Sequence, residues 1–133
     1  MPNLPRRPLL AALAFSWVAA AASTARAAER APWSDAAFAA AQAAGRPLIV
    51  EVTAPWCPTC RAQAPHVTAT LAEPALASAL LLTVDFDTQK DALRRLGVRQ
   101  QSTIIAFNGT QERGRIIGVT DATQIRDLIR RAV

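Results

Sequence analysis

Leu48-Ile49-Val50-Glu51-Val52-Thr53-Ala54-Pro55-Trp56-Cys57-Pro58-Thr59-Cys60 is the stretch from which the rest of this chain can be read. Residues 48–53 are rich in β-branched side chains and mostly apolar at both alternating sets of positions, the pattern of a central strand covered on both faces. Ala54-Pro55-Trp56 leads from that strand to Cys57 and Cys60, the only 2 cysteines in the chain. A disulfide that staples a fold does so by closing a long loop of the unfolded chain. The chain-entropy relation gives a ring of about four residues roughly 2 kcal/mol, against about 4.7 kcal/mol for a loop of about 100 residues. The pair is poorly placed as a staple and well placed for exchange, because a thiolate that attacks a foreign disulfide is followed at once by a second thiol able to resolve the mixed disulfide.

Outward from the dithiol, the run from Arg61 to Ala72 predicts a helix that begins at the cysteines. Pro58 is acceptable in its first turn, Pro65 is expected to kink it, and Glu73-Pro74 ends it. Leu80 to Phe86 reads as a second buried strand, and Thr88 to Leu96 as a short helix stopped by Gly97. Thr103 to Phe107 and Gln111 to Val119 flank Asn108-Gly109, a strong hairpin signal. Asp121, with Gln124 three residues on, caps a last helix whose buried face is Ile125, Leu128 and Ile129. Upstream, Ser34 caps a helix through Ala36, Phe38 and Ala44, with Gly45 as its stop. The order is helix, strand, helix, strand, helix, hairpin, helix, which predicts an α/β fold with a central mixed sheet and helices on both faces.

The beginning of the chain reads differently. Arg6 and Arg7, an apolar run from Leu9 to Ala22, and the small-x-small site Ala25-Arg26-Ala27 are the three parts of a secretory signal peptide. The run falls short of the roughly 20 residues that span a bilayer as a helix. Residues 1–27 are therefore assigned as a leader and residues 28–133 as one domain, with a periplasmic location. The domain keeps 12 of the 15 Lys and Arg and all 10 Asp and Glu, a formal charge of +2 with the signs interspersed. That balance argues against a nucleic-acid partner. In an oxidising compartment the cysteine pair rests as a disulfide unless electrons are supplied.

These features together resemble the thioredoxin superfamily, specifically its exported members, over residues 33 to 133. The resemblance rests on Trp56-Cys57-x-x-Cys60 after a central strand, Pro65 five residues beyond the second cysteine, Gly97-Val98-Arg99 before the hairpin, and the terminal helix. It implies a thioredoxin-like fold and a thiol-disulfide oxidoreductase acting on protein cysteines or disulfides, more as reductant than oxidant, kept reduced by a membrane thiol-electron transporter and needing no cofactor. Members that act as oxidants carry a large helical insertion, for which the 106 residues after the leader leave no room. The chain departs from the family pattern at two places. Ser102 stands where the family has a cis-proline before Thr103, and Glu51 stands for the family's buried aspartate.

Each candidate residue then has an expected role. Cys57, at a helix N-terminus that favours an anion, is the nucleophile. Cys60 is the resolving thiol, expected to be the more buried of the two. Trp56 forms a rim for partner docking, Pro58 and Thr59 tune the potential, Thr59 through a hydroxyl bond to Cys57, and Glu51 relays the proton of Cys60. Gln101, Ser102 and Thr103 form the substrate loop, with Ser102 either trans or held cis under strain. His66, about 240° around the helix from Cys60, should face solvent. Covalent haem attachment is excluded because Arg61, not His, follows the second cysteine, and a structural zinc site lacks ligands. The alternative from another class is a module that holds Cu(I) or a shared cluster on the two soft thiolates.

Overall fold

The computed structural model describes residues 27–133; the expected leader lies, apart from Ala27, outside the described residues. Strand β1 (Glu29–Pro32), helix α1 (Asp35–Ala43), β2 (Pro47–Thr53), α2 (Pro58–Leu71), β3 (Leu80–Asp85), α3 (Lys90–Leu96), β4 (Thr103–Asn108), β5 (Gln111–Ile117) and α4 (Ala122–Arg130) follow in that order. They build one mixed sheet in the order β1-β3-β2-β4-β5. β1 and β2 run parallel to β3 on either side of it, while β4 is antiparallel to both β2 and β5.

The alternation along β2 decides which layer lies on which face. Leu48, Val50 and Val52 pack with Trp33, Phe38, Leu93 and Leu96, the layer of α1 and α3. Ile49 points the other way, among Val67, Leu71, Ile125, Leu128 and Ile129 of α2 and α4. Leu48, Ile49 and Val50 are all fully buried, and each contributes about 1.5–3 kcal/mol of hydrophobic stabilisation. A strand buried on both faces needs apolar residues at both phases of the pleat, as residues 48–50 have.

Three elements differ from expectation by more than one residue. β1 was not foreseen: it is an edge strand with Pro32 at its end, held by pairing with β3 rather than by any alternation of its own. α3 begins at Lys90 instead of Thr88, because the Asp85 carboxylate accepts from the amides of Asp87 (2.8 Å) and Thr88 (3.0 Å) and holds those residues in a turn. β5 stops at Ile117, where Gly118 turns the chain with φ 67°. α2 runs through Pro65 to Leu71 with Ala72 as its C-cap, the extent expected for it, the proline ring removing one helical N–H. Between α2 and β3 the chain makes only a 3-10 turn at Pro74–Leu76. No helix among the described residues is long and apolar enough to cross a membrane.

Candidate active site

Parallel β2 and β3 end at the same pole of the sheet, and the cysteines are delivered there. After Thr53 the chain turns, the Cys57 amide donating to the Ala54 carbonyl (3.1 Å). Cys57 is then the N-cap of α2, with extended backbone (φ −87°, ψ 105°). Its sulfur does the work of a capping oxygen, accepting from the Cys60 amide at 3.1 Å. Pro58 occupies the first turn, where a missing N–H costs nothing. The two cysteines are joined in a disulfide with Cα atoms 5.3 Å apart, an ordinary span for the bond.

The surroundings of the two sulfurs are unequal. Cys57 Sγ faces a donor at the positive end of a helix dipole, so when the bond is reduced its thiolate is favoured. Cys60 Sγ lies 3.9 Å from the Val52 carbonyl oxygen, an acceptor that favours the protonated thiol. The two sulfurs are thereby distinguished by the groups around them.

Burial does not distinguish them as expected. Cys60 was to be the more buried, yet Cys57 is 0% exposed and Cys60 7% in the oxidised protein. The reason is the cap: Cys57 turns its sulfur back over the first turn of its own helix, packed with Ala54 and Phe86, instead of outward.

The other predicted residues fall into two groups. Trp56, Ser102 and Thr103 belong to the site. Trp56 is 54% exposed, donates its indole N–H to Asp87 at 2.9 Å, and stands edge-on to Phe86. Ser102 is joined to the dithiol through Val52, whose carbonyl accepts the Ser102 amide at 2.8 Å and is the same oxygen that Cys60 Sγ approaches. Thr103, buried, opens β4 opposite Val52 and donates its hydroxyl to Gln100. The Gln101 carbonyl is occupied by the Ser102 hydroxyl.

Ser102 resolves the choice left by the missing proline. No peptide bond among the described residues is cis, and Ser102 instead takes φ 59°, the sole positive value outside glycine. Such a conformation costs about 1–3 kcal/mol and persists only when its surroundings hold it.

Glu51 and Thr59 make no hydrogen bond to either sulfur in the oxidised protein. Glu51 is half-buried and accepts from the Thr83 hydroxyl (2.9 Å) on the paired strand; no hydrogen bond links it to either cysteine among the described residues. Thr59 makes no side-chain hydrogen bond to Cys57, whose donor is the Cys60 amide. His66, expected to face solvent, is half-buried in a cleft with Thr70, Glu73 and Arg126. Among the described residues no group of three or more His, Cys, Asp or Glu is placed to hold a metal ion.

One site residue escaped the sequence. Gln63, three residues past Cys60, is 4% exposed. Its amide donates to the Ser102 carbonyl at 3.1 Å and to the Val119 carbonyl at 2.9 Å. Its spacing from Cys60 put it on the dithiol face of the helix, but a glutamine in a stretch otherwise polar gave no sign of burial.

The family model described as thioredoxin matches residues 30–131. The crystal structure of Trxlp from Edwardsiella tarda is 44% identical, with a TM-score of 0.74 over 76% of this chain and 98% of that one. A thioredoxin from Malassezia sympodialis is 20% identical with a TM-score of 0.70, covering 81% and 94%, a likeness of fold. So is a structure of the thiol-resolving mechanism of yeast mitochondrial 1-Cys peroxiredoxin via glutathione/thioredoxin systems, at 20% identity and a TM-score of 0.63, covering 77% and 92%. No curated protein matches the chain.

Proposed function

From a chain that belongs to the thioredoxin family and is a thioredoxin-like protein-disulfide oxidoreductase, we propose the following finer reading: it is exported, and it works as a reductant of disulfides in other proteins. The observation that carries it is the Cys57–Cys60 disulfide at the N-terminus of α2, with a donor on one sulfur and an acceptor beside the other. In the reduced form the Cys57 thiolate attacks a substrate disulfide, forming a mixed disulfide and expelling one substrate thiolate. Cys60 then loses its proton and attacks Cys57 Sγ, which forms the internal disulfide and expels the second substrate thiolate. Two electrons pass to the substrate, and two must be returned by a thiol donor.

Export is supported by the charged, apolar and small-x-small succession of residues 1–27. The donor on that reading is a membrane thiol-electron transporter. The reductant direction is supported by the element order, whose short connections leave no room for the large helical insertion that oxidant members carry.

Reduction of insulin driven by dithiothreitol tests the chemistry: Cys57→Ser should abolish it, and Cys60→Ser should accumulate mixed disulfides. Recovery of those adducts from the periplasm, identified by mass spectrometry, would name substrate and donor together. A potential near about −270 mV fits a reductant, and one near about −120 mV, that of a strong oxidant, would reverse the direction. Copper or an iron-sulfur cluster copurifying with the reduced protein, and lost in Cys57→Ser, would replace this reading with metal handling.

A further inference from the structure

Gln63 sits one helical turn beyond Cys60, and its partners are 39 and 56 residues away in sequence. A buried amide is costly unless its hydrogens are satisfied, and here both are, by carbonyls of two different loops. One carbonyl belongs to Ser102, the residue in the left-handed conformation; the other to Val119, in the turn between β5 and α4. The Ser102 carbonyl also receives the Gly118 amide at 3.0 Å. The planar amide thus joins the dithiol helix, the loop before β4 and the loop after β5 at a single group.

We propose that Gln63 is a positioning residue of the redox site: its amide ties the Ser102 and Val119 loops to the dithiol helix and fixes the substrate loop in the absence of a proline. Ser102 must take positive φ to turn its carbonyl toward α2 and Gly118 while its amide still reaches Val52. Without Gln63, the Gly118 amide alone holds that carbonyl, and Val119 loses its tie to α2. The dithiol itself keeps its cap, because the Cys60 amide and Cys57 sulfur are independent of Gln63. Substrate engagement, rather than the intrinsic chemistry of the sulfurs, is what depends on the tie.

The inference rests on the exchange activity for one of its two tests. The variants are Gln63→Met, which keeps an unbranched chain of similar volume but no donor, and Gln63→Leu should Met pack poorly. In the oxidised protein, hydrogen exchange followed by NMR should quicken about tenfold at the amides of Ser102 and Gly118, with Ile105 in central β4 unchanged. In turnover, KM for insulin should rise about tenfold with kcat within about twofold, while reaction of the reduced protein with a small aromatic disulfide, which needs no loop, stays within about twofold. Unchanged exchange at Ser102 and Gly118 would overturn the proposal, as would equal losses toward insulin and the small disulfide. A wild-type protein inactive toward insulin would refute the exchange activity, and the amide measurement would still decide the tie.

Discussion

Replacing Ser102 with proline installs the family's own residue, and the structure predicts that it damages this protein. The Ser102 amide donates to the buried Val52 carbonyl at 2.8 Å, and proline has no such hydrogen; leaving that carbonyl unpaired costs about 1–3 kcal/mol. Proline also demands φ near −65°, against 59° here. The turn would swing the residue's carbonyl away from Gly118 and Gln63, at about 0.5–1.5 kcal/mol for each lost bond. Relief of the left-handed strain returns about 1 kcal/mol, and a stiffer unfolded chain about 0.4–1 kcal/mol. Taken at the middle of each range, these contributions leave a net loss of about 2 kcal/mol, a sizeable part of the roughly 5–15 kcal/mol that holds a domain folded. Urea titration and thermal melting of oxidised protein measure it, with Tm expected to fall by about 8–16 °C. Ser102→Gly, which keeps the amide and adopts positive φ freely, should stay within about 1 kcal/mol of wild type. A Ser102→Pro protein with an unchanged or higher midpoint would show that the loop rearranges at little cost and that Ser102 is not held as described.

Three further outcomes follow from other parts of the molecule. Alkylation of the reduced protein followed against pH should report a Cys57 midpoint below that of a free cysteine, because the Cys60 amide and the helix dipole favour its thiolate; a midpoint at the free-cysteine value of about 8.5 would deny the cap any electrostatic effect. Arg130, bonded to Glu73 at 2.8 Å and 3.0 Å, holds the Glu73 carboxyl below its ordinary range; the stabilisation is present above the unfolded pKa and lost as pH falls through the folded one, so Tm should drop less between about pH 6 and about pH 3 in Glu73→Gln than in wild type. Gly109 has φ 56°, and a Cβ there would meet Gly45 Cα at 3.1 Å, so Gly109→Ala should destabilise by about 1–3 kcal/mol in the same denaturation assay.

What could be read from the sequence was what local chemistry decides. Asn108-Gly109 marked its hairpin because few dipeptides accept such a turn. Residues 48–50 marked the central strand because a strand covered on both faces is apolar at both phases of the pleat. The elements that escaped depend on distant partners. Glu29-Arg30-Ala31-Pro32 has no strand pattern and becomes one only by lying beside Leu80–Thr83. Gln63 resembles a solvated helix residue until the carbonyls of Ser102 and Val119 are brought to it. Cys57 was correctly placed at the helix start, but its depth depended on which way the capping sulfur turns, and that is settled by the Cys60 amide after the chain has folded.

The sheet's register has a practical consequence for anything attached to this domain. Glu29 pairs with Leu80 at the start of β3, and Leu48, near the start of β2, pairs with the same residue, so the first described strand enters at the pole opposite the cysteines. The other end returns to that pole: the Asn108 side chain, beside Pro47, donates to the Ala132 carbonyl at 2.8 Å. A surface linkage just before Glu29 or at Val133 therefore lies at the pole away from the dithiol, and a protein immobilised through its C-terminal tail should capture disulfide-bearing partners as freely as one in solution.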